Sequence, residues 1–340
     1  MKLAVTGAHG FLGSHVVDAA RLDGADVVAV VSPWGRTDRL AAHAHDPAVR
    51  LLRADVTDPA SLNGVFDGVD AVVHAAARVA DHGPWRAFHR VNVQGTANVA
   101  RAAVRSGVAR VVLVSSVAVW RYRGISGDDP RTRPRDQHVL PYGRSKALAE
   151  DVVRAAAPEP VVVRPALWPY GTRDPNLARV ATALRRGVLP LVDGGRARLQ
   201  TVDAALLATA LVVCARDPVA IGRSYLVADP GAPTWRELFG EIAELLGASP
   251  PRLALPGGPL EAVAPAFESA WASLRLRGEP PLTRYRAGLM RSDVVLDASA
   301  AYGELGVRPT RTRRAALEAA LRDLDGTGAP PLGTAGASPR

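Results

Sequence analysis

The chain has 340 residues, 48% of them hydrophobic and 22% charged, with 31 Gly, 27 Pro and a single Cys. That balance excludes an intrinsically disordered, collagen-like or coiled-coil chain, and the lone Cys214 excludes an internal disulfide and points to a reducing compartment. The net charge of +9 invites a nucleic-acid reading, but nearly all of it is arginine, spread along the chain without aromatic interleaving, so no nucleic-acid partner is expected.

The first half alternates apolar runs with helix-like segments. Lys2–Thr6, Asp26–Val31, Val49–Arg53, Ala71–His74, Arg110–Ser115 and Val161–Arg164 read as strands covered on both faces. Phe11–Leu22, Pro59–Phe66, Pro84–Ala103 and Tyr142–Ala156 read as the intervening helices, which predicts an α/β fold with a doubly wound parallel sheet. After Pro165 the rhythm breaks. Helices are expected at Asn176–Arg186, Ala204–Arg216, Thr234–Leu246, Leu260–Leu276, Ala298–Leu305 and Thr312–Leu324, with extended segments at Leu199–Val202 and Ser224–Val227. The pattern divides into a dinucleotide-binding domain (1–166 plus about 199–229), a smaller, mostly helical substrate domain (167–198 plus 230–325) and a disordered tail (326–340). No apolar stretch reaches the length of a membrane span, and the glycines near the N-terminus break any secretion signal, so a cytoplasmic protein is expected.

Thr6-Gly7-Ala8-His9-Gly10-Phe11-Leu12-Gly13 joins the first strand to the first helix. Glycines at this spacing allow a tight turn, close approach to a pyrophosphate and close helix–strand packing, while Phe11 and Leu12 open the helix whose amide end binds phosphate. At the end of the second strand an NAD site usually carries Asp or Glu, but Ser32 stands here, followed by Arg36. Ser32 and Arg36 suit a ribose 2′-phosphate, which favours NADP(H). NAD(H) remains the alternative if Arg36 and Arg39 are solvated loop residues. Tyr142 and Lys146, four apart, share a helix face. An ammonium beside a phenol favours phenolate and pulls its pKa toward the working range of an acid/base catalyst. Ser116 follows the fifth strand at the carboxyl edge of the sheet, where it either orients a substrate oxygen or caps a strand. The histidines show no metal-ligand spacing, and no catalytic metal is expected.

Taken in order, these motifs resemble the extended short-chain dehydrogenase/reductase family, with its nucleotide-sugar epimerases and dehydratases and its 3β-hydroxysteroid-dehydrogenase-like reductases. The resemblance covers roughly residues 1–325 and implies a Rossmann-type fold. It places Asp55 and Val56 beside an adenine, Ala75, Ala76 and Ala77 beneath the cofactor, and Pro165 near a nicotinamide. It makes Asn92 a shaper of the central helix and of a proton-relay water, and Ser116, Tyr142 and Lys146 the catalytic set. Tyr142 and Lys146 then contact the cofactor as well. Dehydratases of the family carry an acidic pair after the strand-five hydroxyl residue, but Val117-Ala118-Val119 stands here. Trp120 replaces a Tyr-Gly pair common in sugar-modifying members. Ala118, Trp120 and Trp168 are expected on the substrate side, with both tryptophans offering flat apolar surface unless they are core residues. The loop 121–139 either borders the substrate or is solvated.

The expected function is an NADP(H)-preferring ketoreductase or alcohol dehydrogenase acting on a medium-sized, ring-containing carbonyl or alcohol metabolite, of the kind secondary metabolism supplies. The alternatives are an NAD-retaining nucleotide-sugar epimerase and a non-catalytic dinucleotide-binding regulator. The resemblance also implies a homodimer built on helices 84–103 and 142–156.

Overall fold

The computed structural model describes residues 1–120, 125–128, 135, 140–274, 276, 280 and 282–326. Seven strands form its central sheet: β1 (Lys2–Thr6), β2 (Asp26–Val31), β3 (Val49–Arg53), β4 (Ala71–His74), β5 (Arg110–Val114), β6 (Glu159–Pro165) and β7 (Ser224–Val227). Their order is β7-β6-β5-β4-β1-β2-β3, and every pairing is parallel. The chain therefore winds outward in both directions from β1 and β4. Where the winding direction reverses, the loops leaving the two strands diverge and open a crevice at their carboxyl ends.

The near-continuous apolar strands are explained by what covers them. Leu3 and Val5 of β1 enter one core with Val16, Val17, Leu207 and Leu211, from helices Phe11–Leu22 and Ala204–Arg216. Ala4, between them, faces the opposite core with Val99, Ala103, Ala149 and Val153, from helices Gly95–Arg105 and Pro141–Ala156. A strand with helices on both sides has no face left for polar residues. Cys214 lies in the first of these cores, and burial pushes its thiol up to about 12.

A third core joins Trp168, Tyr170, Leu177 and Leu184 to Trp235, Phe239, Leu317 and Leu321. Around it sit helices Pro175–Arg185, Trp235–Leu245 and Arg313–Gly326 and two short parallel pairs, Trp168–Tyr170 with Thr201–Asp203 and Leu191–Val192 with Ala254–Leu255. Thr234 starts its helix through a reciprocal capping box with Glu237. No helix among the described residues is long and apolar enough to cross a membrane.

Three local expectations are corrected. Pro59–Phe66 forms only the short 3₁₀ turn Ala60–Leu62, because Gly64 takes a left-handed φ of 70° and ends it, while Leu62, Val65 and Phe66 are still buried. The expected helix Leu260–Leu276 runs over Gly257–Ser273 and keeps Pro265 inside it. The last helix continues to Gly326, and the rest of the expected tail lies outside the described residues, as does most of the loop 121–139.

Candidate active site

The glycine turn is compressed against the strand beside it. Gly7 adopts φ 70°, and a Cβ there would sit 2.7 Å from the Ala76 α-carbon. A Cβ on Gly13 would run into the Gly7 carbonyl. The Gly10 amide donates to that carbonyl at 2.9 Å and closes the turn. Helix Phe11–Leu22 then starts at Gly10 with no side-chain cap and no acidic residue in its first turn. Its amides at Phe11, Leu12 and Gly13 thus keep the positive helix end for an anion, which is the requirement of a dinucleotide pyrophosphate. These residues fit the cofactor the sequence implied.

Behind the turn, a polar ladder crosses from β1 to the central helix. Ala75 and Ala76 donate their amides to the Thr6 carbonyl and hydroxyl at 3.2 and 3.3 Å, fixing the Ala75–Ala77 segment beside Gly7. Thr6 Oγ1 lies 2.7 Å from His74 Nδ1, and His74 Nε2 lies 3.0 Å from Thr96 Oγ1. Thr96 donates to the Asn92 carbonyl at 2.6 Å, so its oxygen accepts from a His74 protonated on Nε2. Burial pushes the imidazole down to about 3, and it stays neutral.

Asn92 lies in a π-helical stretch, His89–Gln94, between the α-helical segments Trp85–Phe88 and Gly95–Arg105. Its carboxamide oxygen accepts from Arg78 N at 2.7 Å. Its nitrogen donates to Arg78 O at 3.0 Å and to Ser145 Oγ at 2.8 Å. Ser145 in turn donates to the Tyr142 carbonyl at 2.7 Å. Asn92 thus pins the loop after β4 to the helix that carries Tyr142 and Lys146.

Pro141 at the first helical position starts that helix. Tyr142 is half-buried beside Phe88, with ring centroids 6.5 Å apart, and Lys146 is 3% exposed. The Ser116 hydroxyl caps the buried turn Val117–Val119 by accepting from Ala118 N at 3.1 Å, and it is a neighbour that favours ionisation of the Tyr142 phenol. Ser116 just after β5 and Tyr142 and Lys146 near the start of this helix are thus all placed at the carboxyl edge of the sheet. Their electrostatics differ from the expectation. Burial dominates and pushes Tyr142 up to about 12, with Asp81 adding to the rise and Ser116 opposing it. Burial also pulls Lys146 down to about 8, while Glu150 opposes the fall. Phenolate is a poorly solvated anion here, and the cost of desolvating it exceeds what the neighbouring groups return.

The other expected residues are distributed as follows. Asp55 lies two residues beyond β3, its carboxylate accepting from Thr57 N and Oγ1 at 2.9 and 3.0 Å, and the Val56 carbonyl accepts from Asn98 at 3.0 Å. Ser32 lies 3.4 Å from His9 Nε2. Arg36 is exposed and paired with Asp38 at 2.7 Å. Arg53, which the sequence reading passed over, donates to the carbonyls of Ser32, Pro33 and Gly35 at 2.9–3.2 Å. Pro165 closes β6, and Ala118 is buried.

The tryptophans correct an expectation. Trp120 is 1% exposed, with the Arg164 guanidinium 4.7 Å above its ring, and Trp168 packs at 5.9 Å on Trp235 in the third core. Their flat surfaces are used inside the protein, so a substrate-facing role does not follow. Tryptophan exposure depends on partners distant in sequence, and no local pattern reports it. Two residues that the reading did not single out form an ion pair near Tyr142: Asp81 in the loop after β4 receives Arg286 Nε at 2.5 Å from helix Arg284–Leu289.

A glycine turn at the switch point of a parallel sheet, with a serine, tyrosine and lysine on its carboxyl edge, defines a dinucleotide-dependent oxidoreductase of the extended short-chain dehydrogenase/reductase type. The family model described as "NAD dependent epimerase/dehydratase family" matches residues 3–228, and the chain belongs to that family. It is 32% identical to the 2-alkyl-3-oxoalkanoate reductase of Stenotrophomonas maltophilia (strain K279a), over 84% of this chain and 88% of that protein. It is 30% identical to the 4-hydroxy-2-methyl-3-oxo-4-farnesyl-3,4-dihydroquinoline-1-oxide ketoreductase of Stigmatella aurantiaca, over 94% and 95%. Among solved structures, the dTDP-glucose 4,6-dehydratase DesIV of Streptomyces venezuelae, with NAD bound, superposes with a TM-score of 0.77 at 27% identity, covering 96% of this chain and 97% of that one. The chain is an NAD(P)-dependent enzyme acting on CH–OH or C=O groups.

Proposed function

We propose that the protein is an NADP(H)-preferring ketoreductase for a medium-sized metabolite. The observation that carries this reading is the placement of Ser116 just after β5 and of Tyr142 and Lys146 on the helix that follows, at the sheet edge that also carries the glycine turn, with no carboxylate at Val117, Ala118 or Val119. A site without that acidic pair lacks the groups for water elimination and keeps those for hydride chemistry. The two relatives named as reductases of 3-oxo compounds support the same direction.

A reduced nicotinamide, when bound, supplies the hydride. Gly7, Gly10, Gly13 and the amides of Phe11 and Leu12 would hold the pyrophosphate. Asp55, Val56 and the segment Ala75–Ala77 would border the adenosine half, and Pro165 the nicotinamide. Ser116 orients the substrate oxygen. Tyr142, whose hydroxyl is protonated at neutral pH, donates its proton to that oxygen as negative charge develops on it; pushed up to about 12 the phenol is a weak acid, so the transfer depends on positive charge gathered around it. Lys146 supplies the nearby positive charge that offsets the phenolate left behind. Asn92 acts by placing this helix.

Preference for NADP(H) rests on the end of β2. The ribose position holds Ser32, and Arg39 and Arg53 make the surroundings cationic enough to depress the nearby His9 beyond the effect of burial. That field favours a 2′-phosphate. The test is consumption of NADPH and NADH against a panel of ketones. The expected result is a higher kcat/KM for NADPH, with Tyr142→Phe losing about 100-fold or more in kcat while still binding cofactor. Equal turnover by the variant would remove Tyr142 from its role, and tightly retained NAD without net turnover would favour an epimerase.

A further inference from the structure

One turn beyond Lys146 on the same helix face lies Glu150, a carboxylate with no exposed surface. Three segments end on it. Arg164 of β6 grips it with two nitrogens, Nε to Oε1 at 2.8 Å and a terminal nitrogen to Oε2 at 2.7 Å. Ser115, adjacent to Ser116 at the end of β5, donates to Oε1 at 2.6 Å. Arg154 and Arg135 approach Oε2 at 3.7 and 3.8 Å. The Arg164 guanidinium lies over Trp120 and directly precedes Pro165. The segments that carry Ser116, Tyr142 with Lys146, and Pro165 are therefore all fastened at one carboxylate.

We propose that Glu150 is a positioning residue of the reaction centre, one that keeps the Lys146 ammonium charged and clamps the Tyr142 helix to the ends of β5 and β6. The proposal rests on the reading of Lys146 given above.

The charges around the pair make Glu150 the source of this support. Around Lys146 and Glu150 are the neutral His74 of β4, Ser115 just after β5 and Arg164 of β6, with Arg154 on the same helix and Arg135 from the preceding loop. Asp151, on the same helix, is an exposed partner of Arg135, and Asp81 acts on Tyr142 from the far side. Of these, Glu150 is the anion that opposes the loss of the Lys146 proton. Three arginines, Arg164, Arg154 and Arg135, surround that carboxylate, so its removal leaves the ammonium in a cationic field that favours loss of its proton.

The sequence provides a direct readout. Lys2 and Lys146 are the only lysines, so lysine-selective isotope labelling gives two resonances, and Lys146 can be titrated by NMR without any activity. In Glu150→Gln the Lys146 midpoint is expected to fall by about one pH unit or more, with the alkaline limb of the ketone-reduction profile moving down by the same amount. Glu150→Asp is expected to restore both in large part. Because Glu150→Gln strands buried arginines, the double variant Glu150→Gln/Arg164→Met, which removes the partner charge as well, carries the test if the single variant does not fold. A purely structural role predicts that the double variant regains the wild-type midpoint and limb, whereas the proposal predicts that both stay shifted. An unmoved Lys146 midpoint in a folded variant would overturn the proposal, as would failure of both variants to fold. Lys146→Met separates the two readings: full activity in that variant would sink the assigned role of Lys146 and leave the NMR comparison to judge Glu150 alone.

Discussion

Tyr142 and Lys146 are held in opposition to the medium around them. Burial favours a neutral phenol and a neutral amine, and the protein retains both groups where their charged forms cost most. This gives a stability prediction with a definite sign. Lys146 falls from 10.5 to about 8 on folding, so between those values the unfolded chain binds more protons and stability rises with pH. Lys146→Met should therefore melt higher than the parent, by up to about 3 kcal/mol below pH 8, with the advantage disappearing toward pH 10.5. Thermal melts of both proteins across that range check it. An advantage that grew with pH would contradict the burial account. The placement of Ser116, Tyr142 and Lys146 at the sheet edge was legible in sequence because each follows a local rule, such as a spacing of four on a helix or a hydroxyl at a strand end. The direction of the Tyr142 shift was not, because desolvation depends on everything packed around the ring.

At the scale of elements, the helix after β4 is the informative case. Its sequence reads as one continuous helix over 84–103, and the structure keeps that direction but widens one stretch, His89–Gln94, into a π turn. Such a turn adds a residue to one helical cycle and so re-aims the side chains that follow, a device often found at functional sites. Here Asn92 reaches both Arg78 and Ser145 from that stretch. Asn92→Ala removes three hydrogen bonds and leaves buried partners unsatisfied, so a loss of about 3 kcal/mol is expected in denaturant unfolding, with reduced kcat from a misplaced Tyr142. Unchanged stability would show that water replaces the carboxamide. The periodicity of 3.6 carries no signal for a π turn. Nor does it report two-residue strands such as Leu191–Val192, whose existence depends on a partner 63 positions away in Ala254–Leu255. All seven main-sheet strands lay where apolar runs had placed them, within two residues at either end, since burial on both faces leaves a pattern that needs no tertiary information.

Across the whole molecule, long-range ion pairs fasten the later segments to the sheet. Asp203 caps helix Ala204–Arg216 through Ala205 N at 3.0 Å and receives Arg311 at 2.6 and 3.0 Å. Arg173, in a left-handed conformation, reaches Asp18 of the first helix and donates its amide to Asp323. Arg311→Ala is expected to cost about 2 kcal/mol, less than a fully buried pair because the guanidinium is about a third exposed, and calorimetry will show whether the loss is that size. None of these pairings was readable from composition, which showed an excess of arginine and not the acids it would meet.

Cys214 lies in the first core from the last turn of the helix that Asp203 begins, sealed from solvent and with its thiolate suppressed. No other sulfhydryl exists in the chain to compete for a reagent. Its capture by an aromatic disulfide such as Ellman's reagent will therefore act as a clock for opening of that helix–sheet layer: negligible in the resting protein, and paced by how often the layer separates. Adding dinucleotide should slow the clock in proportion to occupancy, and rapid colour development in the undisturbed protein would show that the layer breathes far more than its packing allows.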